Sequence, residues 1–229
     1  MLPATLQTMA RTHRDSAGKT LADYVRPSVA VDTAVLSVDP KRGLVVLEVH
    51  RPTGTGWALP GTFLWEGETL AEAVERSLRT KANISGLHPR QLHVFDRPGR
   101  DDRGWVLSVA HLVVVRADQL AERFPDTTRL MPVGAPGRLA YDHNEIIELA
   151  VADLRFRYKD NPDPDHLLGN RFTLRQLRHV HEAVAGAPIE ADKIDTFRRK
   201  MKLHLDETDD FDTAESGGRP ARLFRHADR

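Results

Sequence analysis

Residues 96–103, D-R-P-G-R-D-D-R, concentrate side chains that bind anionic ligands. Arginine suits a diphosphate, because its planar guanidinium group donates hydrogen bonds to two oxygens at once. A solvated hairpin loop also contains proline, glycine and charge, so this composition leaves both interpretations open. Arg51, which follows a predicted strand, could supply a further cation. The first candidate ligand-binding residues are therefore Arg51, Arg97, Arg100, Asp101 and Arg103.

A second segment, residues 57–84, predicts the end of a strand, a glycine loop and then a helix. Thr69 followed by Glu72 forms a capping box, in which each side chain bonds the backbone N–H of the other residue. Apolar residues recur at helical spacing on one face, namely Leu70, Ala73, Val74 and Leu78. The opposite face carries Glu72, Glu75, Arg76, Arg79 and Thr80. An ordinary amphipathic helix after a glycine turn would show the same periodicity.

This segment resembles the Nudix box, G-x5-E-x7-R-E-U-x-E-E-x-G-U, in which U is an aliphatic residue. Aligned without gaps, Thr62 stands at the first glycine, and the matching positions are Glu68, Arg76, Leu78 and Ile84. The remaining glutamates and the second glycine are replaced, at Ser77, Thr80, Lys81 and Asn83. In the enzymes the Glu-Glu pair binds magnesium, which needs oxygen ligands. The resemblance therefore implies a Nudix fold that has lost its hydrolytic metal site and kept a binding pocket.

Glu68 and Lys81 are the residues of this box that we expect at the ligand. Lys81 stands where the box has a metal-binding glutamate, so its ammonium group would neutralise a diphosphate and bind it without hydrolysis. A solvent-facing lysine is the alternative. The arginine-rich residues 96–103 resemble a loop that helps to define the ligand site of Nudix ADP-ribose pyrophosphatases, which implies an ADP-ribosyl ligand.

Composition limits the other classes of protein. The 229 residues carry 33 Lys and Arg against 33 Asp and Glu, so nucleic-acid contacts must come from local patches instead of a global field. The absence of cysteine excludes disulfides and thiolate metal sites, and the histidines lack a spacing such as H-E-x-x-H. No stretch has the features of a signal peptide or of a membrane span. We therefore expect a cytoplasmic protein without a metal or cofactor.

Periodicity and turn residues predict the remaining elements. Residues 1–22 have no clear period and are expected to form a mobile arm or a short helix. Residues 159–166, with two prolines, are the expected linker between two domains. Before the linker, strands are predicted at 26–38, 43–50, 91–95, 105–115 and 129–133, and helices at 117–124 and 142–158. Asp142 is the candidate N-cap of the last helix, whose buried face is expected to hold Ile146, Leu149, Ala150, Asp153 and Leu154.

Beyond the linker the pattern is helix, turn, helix and then a hairpin with a basic tip, the layout of a winged helix-turn-helix. Thr173 caps the first helix at 174–185, on which Leu174, Leu177, Val180 and Val184 are expected to face inward. The second helix covers 192–203. Residues 206–218 are expected to be a flexible acidic loop, and residues 219–226 a strand.

The second of these helices is the candidate recognition helix. Ile194, Phe197 and Met201 would anchor it, which leaves its cations facing outward. Cations bind the phosphate backbone, and arginine is the usual partner of guanine. A solvated basic face is the alternative. Thr196 on the same helix could also contact DNA, and so could Arg219 and Arg222 of the hairpin. The candidate DNA contacts are therefore Lys193, Thr196, Arg198, Arg199, Lys200, Arg219 and Arg222.

The order of these motifs resembles one family. A Nudix-like domain followed by F-T-L-R-Q-L, T-F-R-R-K-M and G-R-P-A-R-L-F is similar to the NrtR family, the Nudix-related transcriptional regulators of NAD metabolism. The segment D-H-N-E-I at 142–146 also resembles the family's segment before the helix between the domains. The resemblance implies a homodimeric repressor that binds a palindromic operator near genes of NAD biosynthesis or salvage and responds to ADP-ribose or NAD. It implies no catalytic activity.

The expected architecture is an α/β (α+β) Nudix fold, a mixed sheet between helices, followed by a winged helix-turn-helix. The expected boundaries are 1–22 for the arm, 23–160 for the Nudix-like effector domain and 167–229 for the DNA-binding domain. Two alternatives stay open. One is a Nudix pyrophosphohydrolase for ADP-ribose whose metal is held by Glu66, Glu68, Glu72 and Glu75. The other is a catalytically silent binding module whose C-terminal domain contacts protein.

Overall fold

The computed structural model describes residues 13–51, 55–212 and 220–227. The strands are β1 (Ser28–Asp39), β2 (Gly43–His50), β3 (Trp57–Ala58), β4 (Gly61–Phe63), β5 (Arg90–Phe95), β6 (Val106–Val114), β7 (Thr128–Pro132), β8 (Phe172–Thr173), β9 (Leu205–Asp212) and β10 (Ala221–His226). The helices are α1 (Leu70–Ala82), α2 (His143–Tyr158), α3 (Leu174–Ala185) and α4 (Ile194–Lys202). The helix predicted at 117–124 is only a short 3-10 turn, Ala117–Leu120.

The first seven strands form one mixed sheet with β1 at its centre. β1 pairs parallel with β6 and, at its other edge, antiparallel with β2 and β4. A parallel pair needs a long crossover, and α1 and β5 lie within it. Helices cover both faces, so the central strands are buried almost throughout and form continuous apolar runs. This explains why alternation along these strands is weak.

α1 covers one face of the sheet, and its sequence signals are confirmed. Thr69 Oγ1 accepts the Glu72 N–H at 3.3 Å, and a Glu72 carboxylate oxygen accepts the Thr69 N–H at 2.8 Å. Its apolar face, with Val74 and Leu78 fully buried, packs against β1 and β2. The helix ends at Asn83 in the left-handed conformation, with φ of 56°. Asparagine tolerates this conformation, which explains why it can replace the glycine of the Nudix box.

α2 covers the opposite face, and the prediction of its buried face was partly wrong. Ile146, Ala150 and Leu154 are fully buried as expected, but Leu149 is 41% exposed. Asp153 also turns away from the core and forms ion pairs with Arg90 and Arg157. The buried stripe instead continues through Ile147, Val151 and Tyr158.

The C-terminal residues form a small separate sheet, in the order β8-β10-β9, against α3 and α4. Phe172, Leu177, Met201, Leu205 and Phe224 form its core. The predicted α3 has the expected bounds and its capping box, in which Thr173 Oγ1 accepts the Gln176 N–H at 3.1 Å. Helix, turn, helix and hairpin therefore follow each other as the sequence predicts.

The acidic residues 206–218 are not a loop throughout, and this prediction was wrong for their first part. Leu205–Asp212 form β9, which pairs antiparallel with β10. Arginines on β10 face the acids across the hairpin: Arg225 lies 3.3 Å from Asp206, and Arg222 lies 3.7 Å from Glu207. Acidic residues are unfavourable in a strand by themselves, but opposite charges on the neighbouring strand stabilise the pairing of β9 with β10. Residues 213–219 and residues 1–12 lie outside the described ranges.

The predicted linker is a fixed junction. Asp163 is 1% exposed, and its carboxylate accepts the Tyr158 hydroxyl at 2.6 Å and the N–H groups of Leu167 and Leu168 at 3.0 and 2.8 Å. Val180 and Val184 of α3 join the core of the large sheet next to Leu154 and Tyr158. The end of α2 is therefore tied to the winged helix. None of the helices in the described ranges has the length and apolar character needed to cross a membrane.

Candidate effector pocket and DNA interface

A cavity of about 270 Å³ lies between the end of α1, the start of α2 and the loop that joins β5 to β6. Most of the predicted effector-binding residues line it: Arg51, Lys81, Arg100, Asp101 and Arg103. Three further polar residues that the sequence analysis did not identify also line it: Asp32, Tyr141 and His143. The structure thus collects cations from three separate segments around one cavity.

Asp32 is a buried anion at this cavity. Ser108 Oγ donates a hydrogen bond to Asp32 Oδ2 at 2.5 Å, and Arg100 Nη2 lies 3.9 Å from the same oxygen. Burial raises the pKa of Asp32, but His143, Ser108 and Arg100 outweigh it and hold the pKa below its ordinary value. Asp32 interrupts the apolar run of β1, which was the signal in the sequence that could have identified it.

His143 faces the same carboxylate. The Leu59 N–H donates to His143 Nδ1 at 2.9 Å, which leaves Nε2 as the ring nitrogen that can donate. His143 Nε2 is 3.3 Å from Asp32 Oδ1 but makes no well-aligned hydrogen bond within the described residues. The side chain is 3% exposed. His143 is therefore a buried donor at the cavity.

Arg100 connects this carboxylate to the start of α2. Its side chain is 2% exposed, and Nε donates to Asp142 Oδ2 at 2.6 Å. Asp142 precedes α2 as predicted, but its carboxylate makes no capping bond and pairs with Arg100 and Arg97 instead. Arg100 Nη2 has no hydrogen-bond partner among the described residues. A buried donor without a partner is costly, so a ligand oxygen at this position would satisfy it.

Arg103 is fixed at the opening of the cavity. Its guanidinium group makes two bonds to Asp101, at 2.8 and 2.6 Å, and lies over the rings of Phe63 and Tyr141. The Asp101 carboxylate raises the pKa of Arg103, while Arg103 lowers the pKa of Asp101. Arg51 Nη2 contacts the Tyr141 hydroxyl at 3.4 Å. Tyr141 has a left-handed φ of 54°, a strained conformation that is typical of functional sites.

Lys81 points toward the cavity instead of the solvent. It is half-buried, and its ammonium group donates to the carbonyl oxygen of Gly61. Burial lowers the pKa of Lys81, and the cations Arg103 and Arg76 lower it further, while Asp32 opposes them. The ammonium group is thus short of anionic partners at the position where a Nudix enzyme has a metal ligand.

Two predicted effector-binding residues do not line this cavity. Glu68 makes two bonds to Arg76, at 2.7 and 2.8 Å, and these bonds lower the pKa of Glu68 to about 2. Arg76 continues to Thr62 Oγ1 and the Phe63 carbonyl, so the pair fixes the loop before α1. Arg97 is 62% exposed and pairs with Asp142 and Glu145 outside the cavity. The Nudix-box alignment identified Glu68 and residue type identified Arg97, but neither shows the direction of a side chain.

The described residues contain no cluster of three or more His, Cys, Asp or Glu that could hold a metal ion. Three of the four glutamates that the hydrolase alternative relies on make other bonds, and the fourth, Glu66, is exposed. Glu72 completes the capping box, Glu75 accepts the Gly86 N–H at 3.2 Å, and Glu68 is paired with Arg76. Thr80 donates its hydroxyl to the Arg76 carbonyl at 2.7 Å. The positions of the Glu-Glu pair of the Nudix box, Thr80 and Lys81, therefore supply no carboxylate ligand.

The recognition-helix residues divide into two groups. Thr196, Arg198 and Arg199 are exposed on α4, and Lys193 is exposed immediately before it. Arg198 lies 3.2 Å from Asp195, and Lys193 lies 2.5 Å from Glu190. Lys200 instead contacts the junction, where Nζ donates to Asp160 Oδ1 at 2.5 Å and to the Lys159 carbonyl at 3.0 Å. Lys200 is therefore bound to the linker in this conformation.

A basic groove runs between α4 and the β-hairpin. It includes the predicted contacts Arg198 and Arg222, and two cations that the sequence analysis did not identify, Arg175 and Lys202. Lys202 follows Arg198 by four residues and therefore lies on the same face of the helix, which could have identified it from the sequence. Arg222 lies over the Phe211 ring. Arg219 lies outside the described residues. The groove also contains one anion, Glu207, which lies 2.7 Å from Lys202 and 3.7 Å from Arg222. Four cations against one anion leave it with a net positive charge, which suits a phosphate backbone.

Gly61→Ala is expected to destabilise the pocket, because a Cβ at this position would lie 1.9 Å from Asp32 Oδ1 and 2.9 Å from the Val31 carbonyl. Overpacking of this kind typically costs about 1–3 kcal/mol. The change should appear as a lower midpoint in denaturant unfolding. Gly134→Ala is the matched control, since a Cβ there meets nothing within 4 Å. Equal midpoints for the two variants would show that the contact with Asp32 is not close.

Comparisons with known proteins cover both parts of the chain. The family model of the NrtR DNA-binding winged helix domain matches residues 164–226. The ADPR responsive transcriptional repressor NtrR of Acinetobacter baylyi is 29% identical over 217 residues, which are 90% of this chain and 84% of that protein.

Two solved structures of Shewanella oneidensis NrtR are also similar. The complex with a 27mer DNA is 30% identical and covers 87% of this chain and 93% of its own, with a TM-score of 0.71. The complex of its Nudix domain with ADP ribose is 26% identical, with a TM-score of 0.51. The match covers 60% of this chain and 95% of the chain in that structure. The predicted fold, a Nudix domain followed by a winged helix, is thereby confirmed. The chain belongs to the NrtR family of transcriptional regulators.

Proposed function

We propose that this chain is a DNA-binding repressor of genes for NAD biosynthesis or salvage, and that it senses ADP-ribose or NAD in the cavity beside Asp32. The observation that carries this proposal is the presence, in one chain, of a cation-lined cavity and a winged helix with a basic groove. Relatives similar over both domains support it. One is named for its response to ADPR, and another was crystallised with DNA and, as its Nudix domain, with ADP ribose.

The chemistry of the cavity favours a diphosphate. Within the described part of the chain, Arg100 Nη2 and His143 Nε2 are buried donors without well-aligned partners, and Lys81 has few anionic neighbours. A bound diphosphate accepts hydrogen bonds from all three groups. The volume of about 270 Å³ is at the lower end for ligand sites, so it holds the charged centre of a dinucleotide. The rest of the ligand then lies at the opening, against Tyr141 and Arg103.

A thermal shift experiment tests this ligand class. A ligand at 100 times its Kd adds about 2.7 kcal/mol to the free energy of unfolding. For a chain of this length that raises Tm by roughly 5–11 °C. ADP-ribose or NAD should produce such a shift, and Arg103→Ala should reduce it.

Arg116→Ala is the matched control, because Arg116 makes the same two-bond pair with an aspartate two residues away, Asp118, but does not line the cavity. It should leave the ligand-induced shift unchanged. If calorimetry detects no binding of any ADP-ribosyl compound at millimolar concentration, the ligand class is wrong.

We further propose that the Nudix domain binds without hydrolysing. Metal-ion catalysis polarises phosphoryl oxygens and activates water, and both steps need carboxylates that hold the cation. Thr80 and Lys81 replace that pair, and Glu68 is occupied by Arg76. ADP-ribose with magnesium or manganese should therefore give no product above background.

Turnover at ordinary enzyme rates, about 1 per second or faster, would contradict this and favour the pyrophosphohydrolase alternative. The double variant Thr80→Glu, Lys81→Glu is a useful comparison. It should also remain inactive, because Ser77 replaces the further glutamate of the box and is buried.

For DNA, we propose that the groove of Arg175, Arg198, Lys202 and Arg222 follows the phosphate backbone. Arg199, Thr196 and Lys193 then lie on the helix that enters the major groove. A winged helix seldom binds tightly alone, so two copies related by a two-fold axis would recognise a palindrome. Their half-sites would lie about 10 base pairs apart or a multiple of that.

A further inference from the structure

Lys81 is the one lysine among the described residues that line the cavity, where the other cations are arginines. A guanidinium group binds phosphate but stays protonated in proteins, so it is a poor nucleophile. A lysine amine becomes a nucleophile when it loses its proton, and buried lysines form Schiff bases with carbonyl compounds for this reason. Among the cationic side chains that the structure places at the cavity, Lys81 is therefore the one suited to a covalent bond with a ligand.

The surroundings of Lys81 favour the neutral amine. Its side chain is half-buried, and Nζ donates to the carbonyl oxygen of Gly61. Burial lowers the pKa of Lys81, and the neighbouring cations Arg103 and Arg76 lower it further, against the opposing charge of Asp32. A neutral amine still donates an N–H to the Gly61 carbonyl, so loss of the proton keeps this contact and frees the nitrogen lone pair.

The amine also lies close to the groups that would hold a diphosphate. Gly61, whose carbonyl it contacts, packs so tightly on Asp32 that a Cβ there would lie 1.9 Å from Oδ1. Asp32 Oδ2 in turn lies 3.9 Å from Arg100 Nη2, which has no hydrogen-bond partner among the described residues. A phosphate that accepts from Arg100 Nη2 therefore brings the carbon chain bonded to it next to Lys81.

We propose that Lys81 forms a reversible Schiff base with the terminal sugar of ADP-ribose. The bond depends on the proposed function, because it needs an ADP-ribosyl ligand in the cavity, and it distinguishes the two ligands named there. The terminal ribose of ADP-ribose has a free anomeric carbon and opens to an aldehyde. In NAD the same carbon is bonded to the nicotinamide nitrogen, so NAD has no aldehyde.

The chemistry is a condensation without any change in oxidation state. The Lys81 nitrogen bonds the aldehyde carbon, the C=O bond breaks, and the oxygen leaves as water. The ammonium form of Lys81 and the aldehyde together give a protonated imine and one water molecule. Two of the three ammonium protons leave with the oxygen, and the imine keeps the third together with the positive charge. The imine can therefore remain beside the diphosphate, as the ammonium group would.

Reduction with sodium cyanoborohydride tests this bond, because the reagent converts a Schiff base into a stable secondary amine. The full chain is incubated with ADP-ribose and the reagent, and the adduct is located by mass spectrometry of the intact chain and of its peptides. Binding holds the aldehyde beside one amine, so Lys81 should be labelled at least about 10-fold faster than the exposed Lys41. NAD should give no adduct.

Two variants serve as controls. Lys81→Arg keeps a positive charge at the cavity but should abolish the fast labelling. Lys41→Arg should leave it unchanged, because Lys41 lies in the turn between β1 and β2 and does not line the cavity. Fast labelling that survives in Lys81→Arg, or an equal adduct from NAD, would overturn the proposal.

Calorimetry without the reagent separates the Schiff base from the proposed function. ADP-ribose that binds with no preferential adduct at Lys81 would overturn the Schiff base and leave the proposed function in place. ADP-ribose that does not bind at millimolar concentration would overturn both.

Discussion

Arg100→Ala should lower the free energy of unfolding by up to about 3–5 kcal/mol, because it removes the buried guanidinium group that lies between two buried carboxylates. Asp142 then keeps only the exposed Arg97, and Asp32 keeps only Ser108 and His143. Asp142 and Asp32 are 5% and 8% exposed, and Arg100 lies 2.6 and 3.9 Å from their oxygens. Whole domains are stable by only about 5–15 kcal/mol. Tm should therefore fall by roughly 6–20 °C, as measured by calorimetry. The variant should also lose the response to ADP-ribose.

Arg97→Ala is the control for this prediction. Arg97 pairs with the same Asp142 at 3.0 Å, but its side chain is 62% exposed. Solvent-exposed pairs contribute about 0–1 kcal/mol, so Tm should hardly change. If the two variants unfold at the same temperature, burial of the Arg100 pair does not contribute to stability in the way that the structure indicates.

The double variant Arg198→Ala, Arg222→Ala should strongly reduce operator binding and its dependence on salt. Each phosphate contact contributes about 0.9 to the slope of log K against log salt. Removing two phosphate-binding arginines from each subunit of a dimer would flatten the slope by about 3.6. Anisotropy titrations at several salt concentrations measure this slope.

Lys200→Ala is the matched control, since it removes one cation from the same helix on the side that faces Asp160. The slope should stay near the wild-type value. A slope that changes for Lys200→Ala and not for the double variant would place the DNA on the other side of α4.

If Arg199 contacts a guanine, Arg199→Ala should weaken the free energy of operator binding by roughly 1–3 kcal/mol and relax the base preference at one position in each half-site.

Local signals in the sequence predicted the elements well. The capping boxes at Thr69 and Thr173 fixed the starts of α1 and α3, because their bonding partners lie three residues away. β9 was missed for the opposite reason. Its acidic residues are acceptable in a strand only next to Arg222 and Arg225 of β10, and this pairing is not visible locally.

The pocket could be predicted only in part. Residue type identified Arg100, Arg103 and Lys81 as suited to an anion. Type and spacing could not show that Glu68 turns to Arg76, or that Lys200 turns to Asp160, because each direction depends on a partner from another part of the fold. Asp32 and His143 were missed because they are far apart in sequence and meet only when β1 and α2 pack together.

α2 connects the parts of the molecule that a regulator must couple. Its start carries Tyr141 and His143 at the cavity, and its end carries Tyr158, which is bonded to Asp163 at the junction. The helix has 16 residues, roughly 24 Å in length. A ligand that bonds Arg100 and His143 would therefore act on the first end of α2. The other end lies beside the linker residues that hold Lys200 of the recognition helix.

The coupling between ligand and operator is the central claim, and one titration tests it most directly. A duplex selected by the full chain from a randomised library, of the 27mer length used with the Shewanella oneidensis protein, is titrated with and without millimolar ADP-ribose. ADP-ribose should change the Kd for the duplex by about 5-fold or more, and saturating duplex should change the Kd for ADP-ribose by the same factor. An unchanged duplex Kd, in the presence of ADP-ribose that calorimetry shows to be bound, would contradict the account.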